Sequence, residues 1–250
     1  MFMNEGLVII PTYNEKENIE SILRTVFALE ESFDVLVVED NSPDGTGRIV
    51  KTLMKEFPDR LNILERQGKN GLGTAYIAGF KWALERSYQY VFEMDADFSH
   101  NPADLVKLYA AAKQDGVDAV IGSRYITGVN VVNWPMGRVL MSYFASAYVR
   151  FVTNLNIRDT TAGFMCWTRK VLETIDLDNV EFVGYAFQIE MKYTAVKLGF
   201  NVVEVPIIFT DRTRGESKMN KTIFREAILG VIYLRKKGLM GKIKPRKSKN

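Results

Sequence analysis

The sequence predicts an α/β fold, with one Rossmann-like domain in which helices flank a mostly parallel β-sheet. In the first half of the chain, short apolar runs rich in Val, Ile and Leu alternate with stretches whose apolar residues recur every three or four positions. Such alternation is typical of strands that helices join into a parallel sheet. The chain has 250 residues, 47% of them hydrophobic and 25% charged, and neither a linker nor an internal repeat divides it. Composition and length therefore fit a single globular domain.

Five strands are predicted in the first half of the chain. The first is a continuous apolar run that ends at Pro11, and Asn14 and Glu17 behind it have the spacing of a helix capping box. The other four strands also end where polar residues begin. The predicted strands are residues 6–11, 33–38, 61–64, 90–92 and 118–121, with helices between them that include about 73–86 and 102–114.

The second half of the chain is less regular. Residues 126–137 are predicted as a loop, and 138–155 as either a core helix or a helix at a membrane surface. The longest uncharged run in that helix, 139–149, is shorter than the ~20 residues that cross a bilayer. Further predictions are a short strand after Gly163, a helix over 186–198, a strand over 201–209 interrupted by Pro206, a polar loop from Asp211 to Met219 and a final amphipathic helix.

Charge is unevenly distributed along the chain. Eight of the 33 Lys and Arg residues and none of the 30 Asp and Glu residues lie in 235–250, so the rest of the chain is net acidic. A basic end binds nucleic acid or an anionic membrane surface, or only keeps a chain in solution. The single cysteine, Cys166, excludes a disulfide within the chain and is predicted to be a buried small side chain. His100 is the only histidine, which argues against a histidine-based metal site.

Two carboxylates, Asp95 and Asp97, follow the fourth predicted strand one residue apart. If the extended backbone continues through Ala96, both side chains point to the same face. Oxygen-rich groups on one side suit a hard divalent cation such as Mg²⁺ or Mn²⁺. The alternative is a solvated acidic turn before the helix that begins near Pro102.

Ligands of parallel α/β sheets bind at the carboxyl ends of the strands. The side chains just past the predicted strands are therefore expected to converge on one crevice, and these are Tyr13, Glu15, Asp40, Lys69, Asp95, Asp97 and Arg124. The glycine-rich segment 68–73 lacks the spacing of a Walker loop or of a dinucleotide-binding turn. It is either a tight strand-to-helix turn or a place where the backbone approaches a phosphate.

Cationic side chains are placed to bind two anions. Arg124 follows the fifth strand, and Arg138 and Ser142 are one helical turn apart, so these three form a candidate phosphate site. The alternative is that each arginine belongs to a surface ion pair or to a helix cap. Arg212 and Lys218 bracket a Gly-Glu-Ser segment that can close on the charge of a nucleoside diphosphate. A carboxylate pair that suits a metal ion, together with cationic side chains for two anions, indicates transfer between two phosphate-bearing substrates.

Six motifs occur in the order that is found in one enzyme family. They are 10–15 (Ile-Pro-Thr-Tyr-Asn-Glu), 39–46 (Glu-Asp-Asn-Ser-Pro-Asp-Gly-Thr), 71–75 (Gly-Leu-Gly-Thr-Ala), 95–100 (Asp-Ala-Asp-Phe-Ser-His), 122–125 (Gly-Ser-Arg-Tyr) and 212–218 (Arg-x-x-Gly-x-Ser-Lys). The ordered set resembles the inverting family 2 glycosyltransferases of A-type fold, and among them the polyprenol- and dolichol-phosphate mannose synthases. The resemblance covers about residues 7–219 and implies a single nucleotide-diphospho-sugar transferase domain.

The resemblance implies a role for each matching residue. The implied donor site consists of Pro11, Tyr13, Glu15, Val38, Asp40, Lys69, Asp95, Ala96, Asp97, Arg212 and Lys218. The implied ligands of Mg²⁺ or Mn²⁺ are Asp95, Asp97 and Ser99, with Asp97 in direct contact and Ser99, which replaces a glutamine of some relatives, acting through water. The implied acceptor phosphate site is Arg124, Arg138 and Ser142. The implied catalytic set is Asp95, Asp97, Arg124, Arg212 and Lys218.

The implied reaction transfers mannose from GDP-mannose to a polyprenyl (dolichyl-type) monophosphate with inversion. The second pKa of a phosphate monoester is about 6, so this acceptor is largely a dianion at neutral pH and needs little help from a general base. Alternatives are a polyprenyl-phosphate glucose synthase that uses UDP-glucose, a transferase to a protein or glycan, and a non-catalytic nucleotide-sugar-binding or membrane-adaptor subunit.

We expect a catalytic domain over 1–220, followed over 221–250 by an amphipathic helix and a basic tail without a transmembrane helix. The chain resembles the short form of these enzymes, which stays at the membrane through a small anchoring subunit or its own amphipathic surface. The expected location is peripheral, on the cytoplasmic face of a membrane and against its anionic surface. The expected partners are a nucleotide-sugar donor and a polyprenyl phosphate lipid, and no nucleic acid is expected.

Overall fold

A computed structural model describes residues 4–211 and 221–246, and a seven-stranded sheet lies at the centre of this part of the chain. The strands are β1 Gly6–Thr12, β2 Asp34–Glu39, β3 Leu61–Glu65, β4 Tyr90–Glu93, β5 Ala119–Ser123, β6 Val131–Val132, β7 Met165–Thr168, β8 Val202–Pro206 and β9 Phe209–Thr210. The helices are α1 Ile19–Phe27, α2 Thr46–Leu53, α3 Leu72–Leu84, α4 Asp104–Ala112, α5 Met136–Thr153, α6 Arg169–Thr174, α7 Tyr185–Lys197 and α8 Lys221–Leu239, with a 3-10 helix at Leu177–Asn179.

The strand order of the sheet is β3-β2-β1-β4-β7-β5-β8. Strand β7 runs antiparallel to β4 and β5, and all other neighbours in the sheet are parallel. The predicted single α/β domain on a mostly parallel sheet is therefore confirmed. Because β7 is antiparallel, its first residue, Met165, pairs with Glu93 at the end of β4. The segment that leads into β7 thus lies at the same edge as the carboxyl ends of β4 and β5.

Apolar side chains fill both faces of the sheet, which explains why its central strands are continuous apolar runs. Leu7 and Ile9 of β1 pack in the core beneath α3 and α7. Val8 and Ile10 alternate with them and pack in the second core, beneath α1 and α4. With both faces covered by helices, the strand ends remain as the place for a binding crevice.

The predicted capping box at Asn14 and Glu17 is wrong. Asn14 has a left-handed backbone with a φ of 58°, and α1 begins only at Ile19. The backbone N of Asn14 donates instead to Ser42 Oγ, at 3.1 Å, in the turn after β2. A contact with the neighbouring strand–helix turn therefore replaces the local cap.

Two stretches differ from the sequence prediction in the second half of the chain. The predicted loop 126–137 contains β6, which pairs in parallel with β9. The helix predicted over 138–155 is α5, which begins two residues earlier at Met136 and ends before Asn154, whose φ is 58°. The pairing of β6 with β9 brings the start of α5 next to Asp211, which follows β9 directly.

The final helix, α8, packs against α5 and α7. Val231 and Leu234 are buried in the core beneath α3 and α7, and Lys237 Nζ lies 2.9 Å from Glu181 Oε1. In the described residues, none of the helices has the length and the apolar character that a membrane crossing requires. The expected division of the chain at residue 220 remains a prediction.

Candidate active site

The carboxylates Asp95 and Asp97 lie in a turn and not in an extended strand. β4 ends at Glu93, and Phe98 has a left-handed backbone with a φ of 59°. The Asp97 side chain is buried, and its Oδ1 accepts a hydrogen bond of 3.0 Å from the backbone N of Ser99. The backbone bends from Ala96 onward, so the condition under which both carboxylates would share one strand face, an extended backbone through Ala96, is not met.

The backbone of this turn is held at both ends. His100 Nδ1 accepts a hydrogen bond of 3.3 Å from the backbone N of Asp95. The backbone O of Ser99 accepts one of 3.2 Å from the backbone N of Thr210 in β9. Ala96 and Ser99 are both buried. The turn is thus fixed before any ligand binds, and the role of Ser99 at a metal remains a prediction.

His100 is a buried, uncharged part of this turn. Its ring stacks on Phe164, with 4.8 Å between centroids, and meets the edge of Phe209 at 5.4 Å. Burial lowers the pKa of His100 to about 4, although the charge of Asp97 acts in the opposite direction. At neutral pH the imidazole is therefore neutral, and this leaves Nδ1 able to accept the hydrogen bond from the backbone.

A network of buried polar side chains lies behind the turn. Glu93 accepts hydrogen bonds from Trp167 Nε1, at 2.6 Å, and from Gln188 Nε2. Lys192 Nζ donates to the backbone O of Ala162, at 2.6 Å, and to that of Gln188, at 3.2 Å. Burial raises the pKa of Glu93 to about 7 and lowers that of Lys192 to about 8. Sequence analysis missed this network because its members come from β4, β7 and α7.

Asp95 and Asp97 fit a hard cation that takes its other ligands from a substrate. In residues 4–211 and 221–246, no cluster of three or more His, Cys, Asp and Glu side chains is arranged to hold a metal. Mg²⁺ is nevertheless commonly bound by one or two carboxylates together with substrate phosphates and water. Tyr76 lies beside the pair. Burial first, and the charge of Asp95 second, raise the pKa of Tyr76, so its hydroxyl stays protonated.

Side chains predicted to bind the donor meet at the ends of β1 and β2. Pro11 of β1 pairs in register with Val38 of β2. Lys69, from the loop after β3, places its Nζ 5.1 Å from the centre of the Tyr13 ring. Glu15 lies in the same turn as Tyr13, and its backbone N donates to Thr46 Oγ1 at 3.0 Å. The structure thus brings residues from three separate turns to one wall.

Asp40 is buried in this wall beside a cation that the sequence did not indicate. Arg66 Nε lies 2.9 Å from Asp40 Oδ1. Burial raises the pKa of Asp40, against the opposing charge of Arg66. The neighbouring Glu39 accepts hydrogen bonds from the backbone N of Asn41 and of Ser42, at 2.9 and 2.8 Å. Hydrogen bonds to Glu39 therefore fix the shape of the turn that carries Asp40.

Two glycines of the 68–73 segment serve the packing of α3 against α7. Gly71 has a φ of 99°, and a Cβ there would lie 2.9 Å from the backbone O of Val183. A Cβ on Gly73 would lie 2.7 Å from Phe187 Cγ, and its backbone N donates to Val183 O at 2.8 Å. At these positions the geometry favours the tight-turn interpretation. A Cβ on Gly68 would meet nothing within 4 Å.

Arg124 is bound to a buried carboxylate, Asp159, that sequence analysis did not identify. The guanidinium makes two parallel hydrogen bonds, Nε to Oδ2 at 2.7 Å and Nη2 to Oδ1 at 2.6 Å. Burial acts to raise the pKa of Asp159, but the charge and hydrogen bonds of Arg124 outweigh it and lower that pKa. Glu204 of β8 in turn accepts the backbone N–H of Asp159 at 2.9 Å. Asp159 precedes the antiparallel β7, so the reversed strand direction brings it to this edge.

Arg138 and Ser142 lie on α5, and Arg138 approaches the same aromatic ring as Arg124. The guanidinium carbon of Arg138 lies 4.2 Å from the centre of the Trp134 ring, and that of Arg124 lies 5.6 Å from it. Arg138 Nη1 also makes an ion pair of 2.7 Å with Asp211 Oδ1. The structure therefore brings the two predicted acceptor arginines together. The predicted donor residues Arg212 and Lys218 lie outside the described residues.

A family model described as Glycosyl transferase family 2 matches residues 7–176. The chain belongs to this family. The matched region of this family 2 glycosyltransferase includes the acidic turn and the residues from Arg124 to Asp159, whereas Asp211 and α8 lie beyond it.

Relatives of this glycosyltransferase match most of the chain. It is 48% identical over 225 residues to the polyprenol monophosphomannose synthase of Mycolicibacterium smegmatis, which covers 90% of this chain and 84% of the relative. It is also 48% identical over 226 residues to the undecaprenyl-phosphate mannosyltransferase of Micrococcus luteus, which covers 90% of this chain and 91% of the relative. The resemblance that the ordered motifs predict is thereby confirmed.

A solved structure supports the fold. The mannosyltransferase PcManGT from Pyrobaculum calidifontis, described in complex with GDP-Man and Mn²⁺, aligns with a TM-score of 0.57 at 17% identity. The alignment covers 93% of this chain and 70% of that chain. At this level of identity, the likeness establishes the A-type fold of this glycosyltransferase.

Proposed function

We propose that this family 2 glycosyltransferase transfers mannose from GDP-mannose to a polyprenyl (dolichyl-type) monophosphate, with inversion at the sugar. The observation that supports it most is the convergence of Arg124 and Arg138 on the Trp134 ring. Two guanidinium groups at one place suit a phosphate monoester. The names of the two bacterial relatives support mannose as the sugar and a polyprenyl lipid as the acceptor.

The strand order supports separate places for donor and acceptor. Tyr13 and Asp40 follow β1 and β2, the acidic turn follows β4, and Arg124 follows β5. β2 and β5 are four positions apart in the sheet, which corresponds to about 19 Å between their ends. In the proposal, the nucleoside lies against the β1–β2 wall and the diphosphate lies at the acidic turn. The sugar then faces the two arginines.

The acceptor phosphate supplies its own nucleophilic oxygen, because a phosphate monoester is largely a dianion at neutral pH. Arg124 and Arg138 offset its charge, and Ser142 adds a donor one helical turn along α5. A general base is not required, which is consistent with His100 being buried and bound to the backbone of Asp95. Attack on the face opposite the departing diphosphate inverts the anomeric carbon.

Departure of the nucleoside diphosphate is the step that needs added positive charge. Asp95 and Asp97, with Ser99 through water, would hold Mg²⁺ or Mn²⁺, which supplies charge to the diphosphate when bound. Arg212 and Lys218 are proposed to act on the same group. The complex of PcManGT with GDP-Man and Mn²⁺ supports this choice of donor and metal.

A donor panel tests the proposed reaction. The enzyme is incubated with a short polyprenyl phosphate, Mg²⁺ or Mn²⁺, and GDP-mannose or UDP-glucose, and the product is identified by its mass. We expect mannosyl phosphate lipid from GDP-mannose. Product from UDP-glucose alone would make the protein a polyprenyl-phosphate glucose synthase. No product with either donor would favour a non-catalytic nucleotide-sugar-binding or adaptor subunit.

Variants of the site accompany the donor panel. Asp97→Ala should abolish metal-dependent turnover, and Arg138→Ala should abolish transfer while donor binding survives. Asp178→Ala is the matched control, because Asp178 is an exposed carboxylate on the 3-10 helix. Normal turnover of Asp97→Ala would contradict the metal assignment, and normal turnover of Arg138→Ala would contradict the lipid-phosphate assignment.

We also propose that the protein works peripherally on the cytoplasmic face of a membrane. Large apolar side chains are exposed on α5 and α8, among them Phe144, Phe151 and Ile232. The basic residues that follow α8 would bind anionic headgroups next to that surface. In this proposal, 1–220 is the catalytic unit and 221–250 assists membrane binding, and a small anchoring subunit is the alternative means of attachment.

A further inference from the structure

Trp134 is shared by both arginines of the proposed acceptor site. Its ring centre lies 5.6 Å from the guanidinium carbon of Arg124 and 4.2 Å from that of Arg138. The edge of Phe209 packs against it at 5.2 Å. Trp134 lies between β6 and α5, and nothing in the sequence analysis gave it a role. It connects two cationic side chains that would otherwise repel each other.

Among the described residues, the indole N–H of Trp134 has no hydrogen-bond acceptor. Nε1 is shielded from solvent and meets no hydrogen-bond acceptor within the part of the chain that the structure describes. An indole nitrogen only donates, and a shielded donor that stays unsatisfied costs about 1–3 kcal/mol. Such a group in a folded protein calls for a missing partner. With two guanidinium groups on the same ring, the partner favoured by charge is an anionic oxygen.

The two arginines are held by carboxylates in different ways. Arg124 is fixed by Asp159, whose side chain is fully buried, so its guanidinium plane is set before a ligand arrives. Arg138 is paired with Asp211, and these side chains are 27% and 25% exposed. A partly exposed pair of this kind is held less firmly than a fully buried one, because solvent screens its charges. An entering dianion is therefore expected to compete with Asp211 for Arg138, next to the Trp134 N–H.

We propose that Trp134 is a further acceptor-binding residue, whose indole N–H donates to an oxygen of the acceptor phosphate while its ring holds the guanidinium groups of Arg124 and Arg138. This inference rests on the proposed function, because it takes a phosphate monoester as the acceptor. Cation–π contacts contribute about 0.5–2 kcal/mol each, enough to orient two flexible side chains. The site then presents donors from three residues to one dianion.

Two variants separate the parts of this role. Trp134→Phe keeps an aromatic face and removes the N–H, and Trp134→Leu removes both. For Trp134→Phe we expect the KM for farnesyl phosphate to rise about tenfold, equivalent to about 1.4 kcal/mol, with the KM for the sugar donor unchanged. Trp134→Leu should raise the KM for farnesyl phosphate further and also lower kcat. Trp82→Phe is the control, because Trp82 likewise lies under an arginine, Arg86, at 3.5 Å, but on α3.

Binding measured without turnover distinguishes this inference from the proposed function. Farnesyl phosphate and inorganic phosphate are titrated by calorimetry into the full chain and into Trp134→Phe, Arg138→Ala and Trp82→Phe. Weaker binding of farnesyl phosphate by Trp134→Phe and Arg138→Ala, but not by Trp82→Phe, supports the inference. If Trp134→Phe binds as tightly as the parent while Arg138→Ala does not, the role of Trp134 is overturned and the proposed function stands.

The remaining outcomes are also decisive. If the parent chain binds the sugar donor but no phosphate monoester, the proposed acceptor class fails, and the role of Trp134 fails with it. If inorganic phosphate binds the parent as tightly as farnesyl phosphate, the phosphate alone is recognised. Weaker binding of inorganic phosphate by Trp134→Phe then supports the inference, and equal binding overturns it. Thermal unfolding of each variant verifies its fold, and Trp134→Phe carries the test alone if Trp134→Leu does not fold.

Discussion

Burial distinguishes the two Arg–Asp pairs of the proposed acceptor site. The Arg124 and Asp159 side chains are 10% and 0% exposed, and those of Arg138 and Asp211 are 27% and 25% exposed. Removing one partner of a buried pair leaves a charge without compensation, whereas water can partly compensate the remaining charge of a partly exposed pair. Asp159 is therefore a structural partner that positions Arg124. Asp211 is a partner that a ligand can replace.

The same substitution in both pairs tests this difference. Asp159→Asn should lower the free energy of unfolding by about 3 kcal/mol, because Arg124 keeps its charge in a buried place. Asp211→Asn, the matched control, should cost less than about 1 kcal/mol. Urea denaturation of the two variants and the parent measures both values. Equal losses of unfolding free energy in the two variants would show that burial does not distinguish the two pairs.

The contribution of Asp159 to the free energy of unfolding depends on pH with a definite sign. Its pKa in the folded chain lies below the ordinary value of 3.8, so the unfolded chain takes up the proton first as the pH falls. The stabilisation is then present above about pH 4 and is lost below it. The difference in stability between the parent and Asp159→Asn should therefore shrink as the pH falls below 4. A constant difference across that range would contradict the ion pair as its source.

Strand β7 is the element that brings Asp159 to Arg124 of the proposed acceptor site. It runs against β4 and β5, so its leading segment enters at the edge where those strands end. That reversal places Asp159 beside Arg124, which are 35 residues apart in the chain. A parallel strand at this position would have placed the segment at the opposite edge, away from the acidic turn.

The contact between the segments that lead into α3 and α7 depends on glycine at Gly71. Gly71→Ala should lower the free energy of unfolding by about 1–3 kcal/mol, since alanine disfavours a φ of 99° and its Cβ would meet the backbone of Val183. Gly68→Ala is the matched control in the same loop, where a Cβ meets nothing within 4 Å. Urea denaturation compares the two. Comparable losses in both variants would mean that the loop conformation, and not this contact, is what alanine disturbs.

At the scale of the whole molecule, folding leaves large apolar side chains of α5 and α8 exposed. Phe144 and Phe151 are 63% and 88% exposed. A core helix would turn such side chains inward, so between the two interpretations of α5 the exposed face favours the membrane surface. Ser146 and Val149 of the same helix are buried, and they fix α5 to the body.

Vesicle binding tests the membrane-facing surface. Phe144→Ser with Phe151→Ser should weaken sedimentation with both neutral and anionic vesicles, because apolar burial does not depend on headgroup charge. Lys242→Gln with Lys244→Gln should weaken binding to anionic vesicles only. Unchanged binding of both double variants would leave a small anchoring subunit as the means of attachment.

The sequence predicted the fold, and it predicted which strands end in polar side chains at one edge of the sheet. The strands that carry Tyr13, Asp40, Asp95 and Arg124 are apolar runs with polar ends, and parallel strands bring such ends to one edge whatever the loops do. The predicted helix cap at Asn14 is wrong, because a contact with Ser42 replaces it. The extended backbone on which a shared face for Asp95 and Asp97 depended is also absent, because the chain bends from Ala96 onward.

By itself, the sequence determined the alternation of strands and helices, the ordered motifs and therefore the family. These are properties of short stretches, set by local periodicity and by residue type. The tertiary structure decided the rest. The direction of β7 places Asp159 on Arg124. The packing of distant loops places Arg66 on Asp40, His100 beneath the acidic turn and Trp134 between two arginines. No local pattern encodes such partners, because an ion pair or a stacked ring needs proximity in space and not in sequence.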